Sequence, residues 1–154
     1  MKARADGLVS PVGTEAGWRR SIYVSQTRKQ VVTLLEDFDL PQMNPNCSER
    51  RDSTVAPQAL HLMNNAMIQT LAESFARRVE AESGDDPARQ VDRASWIAFG
   101  RPPSDEERAV GLEALARLTE GWRSQPAGAG EPAARGLASY CHAILNAANF
   151  LYID

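Results

Sequence analysis

Leu137, Cys141, Ile144, Leu145 and Ala148 recur at spacings of three and four near the end of the chain, its most regular pattern. That spacing puts apolar side chains on one face of an α-helix and on no single face of a strand. A stripe of this kind must be buried against another element. With no alternating run long enough for a sheet, the other elements are helices too. Pro132 marks the start of this last helix, because proline is tolerated in a first turn, where its missing N–H has no intrahelical partner.

The other helices are delimited by similar chemistry. Val31, Leu34, Leu35 and Phe38 predict a first helix over 28–38, stopped by Pro41 and Pro45. Pro57 fits the first turn of a second. In it Leu60, Met63, Met67, Leu71, Phe75 and Val79 continue one apolar face to about residue 82. Asn64-Asn65 would kink or split it, since asparagine competes for backbone hydrogen bonds. Asp86-Pro87 pairs an N-cap with an N1 proline and opens a helix carrying Val91, Ala94 and Trp96 to Phe99. Ser104-Asp105-Glu106-Glu107 is a capping box. Its helix carries Leu112, Leu115, Ala116 and Trp122. The stretch 123–131 is a Gly/Pro/Ala loop, and 150–154 leaves the last helix as a short extended tail. The expected fold is mainly α: an irregular bundle of five or six helices with a long polar loop over 44–56. Residues 1–18, punctuated by Gly7, Pro11, Gly13 and Gly17, are expected to be irregular, and 19–154 to form a single helical domain.

Composition excludes several function classes. With 17 Lys/Arg against 20 Asp/Glu the net charge is −3, and the bases form no cluster that would follow a nucleic-acid backbone. Residues 1–51 carry eight Lys/Arg and six Asp/Glu (8 − 6 = +2), and the rest nine and fourteen (9 − 14 = −5). The acidic helical part reads as a solvated surface. No apolar run would insert into a bilayer, and the opening Met1-Lys2-Ala3-Arg4-Ala5-Asp6-Gly7 has no signal-peptide core, so the chain as written would stay in the cytoplasm. The two cysteines, Cys47 and Cys141, are 94 positions apart and form no Cys-x-x-Cys; no haem-attachment motif occurs, and no cofactor is expected. A Cys47–Cys141 disulfide is open in an oxidising compartment, beside the plainer alternative of two buried thiols.

The polar stretch 46–60, Asn-Cys-Ser-Glu-Arg-Arg-Asp-Ser-Thr-Val-Ala-Pro-Gln-Ala-Leu, packs acid, base, thiol, hydroxyl and amide groups into a loop that runs into a helix. Such a loop is held by a hydrogen-bond network or used for binding. Together with Arg19-Arg20-Ser21-Ile22-Tyr23, Phe38-Asp39-Leu40-Pro41, Phe99-Gly100-Arg101-Pro102-Pro103 with Glu107, and the closing Leu145-Asn146-Ala147-Ala148-Asn149-Phe150-Leu151-Tyr152-Ile153-Asp154, it carries a family resemblance. Over residues 19–154 the chain resembles the C-terminal part of the planctomycete-type domain of unknown function 1553. That resemblance implies a parent protein that is large, exported to the periplasm or cell envelope, and often equipped with a cytochrome-c-like domain. It also implies that this chain is a C-terminal piece. One departure stands out: the family's closing block carries Ser and Glu where this chain has Ala147 and Ala148.

Each candidate site has a plainer alternative. Cys47, His61, Cys141 and His142 are the soft metal ligands, but no close pair has ligand spacing and adjacent Cys141 and His142 face different ways; no metal is expected. A Cys–His nucleophile lacks a positioned base. Arg19, Arg20, Arg50 and Arg51 could fork onto a carboxylate, sulfate or sugar-acid group; the plainer alternative is that Arg50 or Arg19 pairs with Asp39, Glu49 or Asp52 and ties the loop to the helices. Gln58, Asn64, Asn146 and Asn149 read as buried amides that bond to loop backbone and fix helix register. Trp18, Trp96 and Trp122 read as core or interface packing, Met63 and Met67 as core, and Arg101 as the one contact residue of its turn. The binding set singled out is Arg19, Arg20, Tyr23, Asp39, Glu49, Arg50, Gln58, Asn64, Asn146 and Asn149.

The expected function is a helical interaction or scaffold module whose partner is the upstream domain of the same parent or another protein. A hydrolytic site, directed at polysaccharide and completed with that upstream domain, is the competing expectation; docking to a redox partner is a third. Paired, buried polar residues favour the module, and convergence of Asp39, Glu49, Arg50 and Asn146 at an open cleft favours the enzyme.

Overall fold

The computed structural model describes residues 2–3, 9–10, 35, 38, 55–125 and 130–151. The chain divides into two compact units, Met1–His61 and Leu62–Asp154. In the first, β1 (Lys2–Ala3) and β2 (Val9–Ser10) pair antiparallel, with Lys2 opposite Ser10 and Ala3 opposite Val9. The sequence reading made 1–18 wholly irregular, because two-residue strands are too short to show a period. Of the expected helix over 28–38 only Leu35, helical, and Phe38, in a turn, are described. The polar loop over 44–54 lies outside the described residues.

Six helices are described: α1 (Val55–Asn64), α2 (Ala66–Ser83), α3 (Pro87–Phe99), α4 (Asp105–Arg123), α5 (Pro132–Leu145) and α6 (Ala148–Leu151). Their ends follow the expected chemistry. Asp86 caps α3 by accepting from the Ala88 N–H at 3.0 Å, with Pro87 in the first turn. Ser104 accepts from the Glu107 N–H at 3.2 Å while Glu107 accepts from the Ser104 N–H at 2.8 Å, a complete capping box on α4. Gly100 ends α3 at φ 69°, a left-handed position that costs glycine little and a β-carbon more.

The Leu62–Asp154 unit is built round α5, which packs most extensively on α4, next on α2, and more lightly on α3 and α6. Its core is Ala76, Val79, Val91, Ala94, Leu115, Leu137, Cys141 and Ile144, with Phe75, Ile97, Phe99, Leu112 and Tyr140 packed against it. Small residues set the helix spacing. A β-carbon on Gly136 would stand 2.9 Å from the Thr119 Cα and 3.0 Å from its N, so α4 and α5 touch backbone to backbone there. No helix among the described residues is long and apolar enough to cross a membrane.

Several apolar faces differ from the periodic reading. The helix expected over 57–82 splits at Asn65. Past the break, Ile68, Ala72, Ala76, Val79 and Ser83 are buried, while Met67 is exposed and Leu71 and Phe75 are half-buried. Met63, read as core, is 59% exposed. A bend between two helices resets the rotational phase, so a stripe continuous in sequence is not continuous in space. Trp96 and Ala116 are also exposed rather than buried: Ser95 takes the inward place beside Ala94, and Gly111 and Leu115 form the buried stripe of α4. Phe150 and Leu151, expected to be extended, stand in the helical turn α6.

Candidate functional site

Arg19, Arg20, Tyr23, Asp39, Cys47, Glu49, Arg50 and Arg51 lie outside the described residues. Gln58 is half-buried on α1, whereas Asn64, the last residue of α1, and Asn149 on α6 are exposed, so neither of these two is the buried amide expected from its place on an apolar helix. Asn146 is half-buried at the C-terminal cap of α5, where its side chain donates to the His142 carbonyl at 2.8 Å. One turn earlier, His142 Nε2 lies 2.9 Å from the Leu62 carbonyl oxygen; a carbonyl only accepts, so the imidazole donates. Just beyond Leu62, the Asn65 side chain accepts from the Met67 N–H at 2.8 Å and caps α2. The Leu62 carbonyl, His142 and Asn146 thus form a chain of polar contacts at the C-terminal end of α5, and Asn65 caps α2 three residues beyond Leu62. The sequence reading set a kink or split at Asn64-Asn65 and favoured a surface or hydrogen-bonded histidine over a metal ligand, but it did not say which carbonyl His142 would meet. Its place in the last turn of a helix was the available signal, because a donor there can reach orphaned carbonyls.

The second polar centre joins α3 to α4. Arg101 forks onto Glu107, with Nη1 to Oε2 and Nη2 to Oε1 both at 2.7 Å, and its backbone carbonyl accepts from the buried Ser95 hydroxyl at 2.9 Å. Glu107 therefore receives two guanidinium donors and the Ser104 N–H. The Arg101 guanidinium, helped by the Ser104 backbone, holds the Glu107 carboxyl down at about 2. Arg101, the turn's expected contact residue, is occupied within the fold.

Other ionic contacts brace the same helices. Asp92 on α3 accepts a fork from Arg108 on α4 at 2.6 and 2.8 Å. Glu82 on α2 accepts from Arg78 at 2.9 Å and pairs with Arg93 on α3, and these two arginines keep its carboxyl below the usual range. Trp122 donates its indole N–H to Ser139 at 2.9 Å, and the Arg135 guanidinium lies 5.2 Å from its ring centroid.

Cys141 is fully buried and free, and burial pushes its thiol up to about 12. A thiol in that state is a small core residue, with almost no nucleophilic thiolate at neutral pH. The Tyr140 hydroxyl is likewise raised by burial. Cys141 and His142 serve different surroundings, one the apolar core and the other a backbone carbonyl. Among the described residues no three His, Cys, Asp or Glu side chains converge as metal ligands. The most exposed apolar groups of the Leu62–Asp154 unit are Met63, Met67, Trp96, Val110 and Phe150.

No curated protein and no solved structure matches the chain. A family model does match, over residues 6–115. That span begins earlier than the motif resemblance over 19–154 and ends before the closing block over 145–154. It takes in the polar loop, the Asn65 break and the Arg101–Glu107 fork, and it covers more than half of the chain. The chain belongs to the family PSD1, protein of unknown function (DUF1553).

Proposed function

We propose that this chain is a helical interaction module whose polar family residues build the scaffold, and that its partner is another protein or an upstream domain of a longer parent. The observation that carries the proposal is the fork from Arg101 to Glu107. Both residues belong to a block that carries the family resemblance, and they are satisfied by each other and by the helix cap. Asn146, from the closing block, is turned back onto the His142 carbonyl in the same way. Side chains that contact a substrate keep donors or acceptors for it; these spend theirs on the fold.

The test is thermal unfolding of four single variants: Arg101→Met, Asn146→Ala, Asp39→Asn and Arg50→Met. A scaffold role predicts a lower Tm for each, by the equivalent of about 1 kcal/mol per lost hydrogen bond. Active-site polar groups behave the other way, because function holds them at a cost to stability. An unchanged or raised Tm for Asp39→Asn and Arg50→Met would move the reading to the hydrolytic alternative.

A further inference from the structure

The Leu62–Asp154 unit has two unlike ends. Short connections, residues 84–86 and 100–104, make α2, α3 and α4 run up and down in turn. A β-carbon on Gly111 would meet the Tyr140 hydroxyl at 2.7 Å, while Gly136 faces Thr119, so α5 runs antiparallel to α4. One end therefore gathers the start of α2, the end of α3, the start of α4 and the end of α5. The bond from His142 to the Leu62 carbonyl ties two of these together, and α6 packs on α3 and α5. Exposed apolar groups concentrate here: Met63 follows Leu62, Met67 is in the first turn of α2, Trp96 in the last turn of α3, and Phe150 on α6. The opposite end carries residues 84–86, 123–125 and 130–131, and none of these is a large exposed apolar residue. Single exposed apolar residues are ordinary, but large ones brought from successive helices to one end mark a contact surface.

The charges at this end select the partner. Its arginines are occupied, Arg101 by Glu107 and Arg108 by Asp92. Asp105 and Glu106, exposed in the first turn of α4, form no ion pair among the described residues, so the charge left over is negative. We propose that this end docks a basic amphipathic helix of another protein. The apolar face of that helix would lie against Met67, Trp96 and Phe150, and its Lys or Arg residues would turn toward Asp105 and Glu106. Methionine adapts its shape to an apolar partner, and an exposed tryptophan is the kind of side chain on which binding energy concentrates. Apolar anchors with an acidic rim complement the two faces of such a helix. An anionic membrane surface, the other destination for exposed apolar groups, is repelled by the same carboxylates. The site rests on the interaction-module reading above and gives its partner a chemistry.

The experiment titrates the full chain with a synthetic amphipathic helix of leucine and lysine, its leucine–glutamate counterpart, and phosphatidylglycerol vesicles. NMR reads the methionine methyl and tryptophan indole N–H signals. Trp122, in the last turn of α4 at the opposite end, is the internal control. The lysine peptide is expected to move the Met67 and Trp96 signals and leave that of Trp122 in place. Trp96→Ser and, on a different helix, Phe150→Ser should each weaken its binding by about tenfold. Asp105→Asn combined with Glu106→Gln should weaken it and flatten its dependence on salt. The glutamate peptide and the vesicles should not bind. The proposal is overturned if the lysine peptide fails to bind, if it moves Trp122 rather than Trp96, or if Trp96→Ser and Phe150→Ser bind it as the native chain does. Binding of the glutamate peptide or the vesicles as tightly as the lysine peptide would overturn it equally. Any of these results beside a lowered Tm in the four variants above would remove the docking site and leave the scaffold reading standing.

Discussion

Glu107 has three donors on one carboxylate, and its acidity turns that geometry into a pH dependence. Its folded value of about 2 lies below the ordinary 4.5, so the folded state favours the ionised form. The stabilisation is complete above about pH 4.5 and is lost as pH falls toward 2. Comparing thermal unfolding of the native chain and Glu107→Gln across that range should show the native chain more stable at neutral pH and the two curves converging in acid. Equal stability at pH 7 would show that the fork contributes nothing. Cys141 gives the second prediction at this scale. With its thiol pushed up to about 12 and no exposed surface, it should resist iodoacetamide at pH 8 in the folded chain and react after denaturation, as read by peptide mass spectrometry. Rapid native labelling of Cys141 would contradict its place in the core. The thiol's inertness was legible from its position on the apolar stripe. The Glu107 fork was only half legible: the capping box shows in Ser104-x-x-Glu107, but nothing in the spacing says that Arg101 folds back onto the same carboxylate.

Among the elements, the α4–α5 contact is the tightest and the least visible beforehand. Gly136 sits mid-pattern in a helix, where glycine costs about 1 kcal/mol against alanine. Its use is steric, because α5 comes within touching distance of the Thr119 backbone. Gly136→Ala, which raises intrinsic helix propensity, is therefore expected to lower stability by about 1–3 kcal/mol in denaturant unfolding. Thr119→Ser should not rescue it, since serine keeps the hydroxyl oxygen nearest the added carbon and the backbone Cα and N stand at 2.9 and 3.0 Å. A stabilised Gly136→Ala chain would mean that α4 can move away at no cost. Helix ends, by contrast, were readable: Asp86-Pro87, the Ser104 box and Gly100 work through residues within one turn of one another. Which face of each helix turned inward was read less well. Met63, Trp96 and Ala116 were assigned to apolar stripes and stand exposed, because burial is decided by where the neighbouring helix lies.

At the scale of the whole molecule, the Leu62–Asp154 unit has its own core, its own caps and ion pairs from α2 to α3 and from α3 to α4. Expressed alone, this unit is expected to unfold in one cooperative transition, and Leu137→Ala should cost it about 2–5 kcal/mol. A non-cooperative melt would show that the unit depends on the rest of the chain. The sequence by itself determined the helical class, the helix ends marked by Asp86-Pro87, the Ser104 box and Gly100, an irregularity at Asn64-Asn65, and the family. All of these rest on interactions within a few residues or on the linear order of motifs. Only the tertiary structure decided that α5 is the central helix, that Arg101 is spent on Glu107 and that His142 holds the Leu62 carbonyl 80 residues away. These are choices of partner between distant segments, and a local pattern offers many partners that only packing can select between.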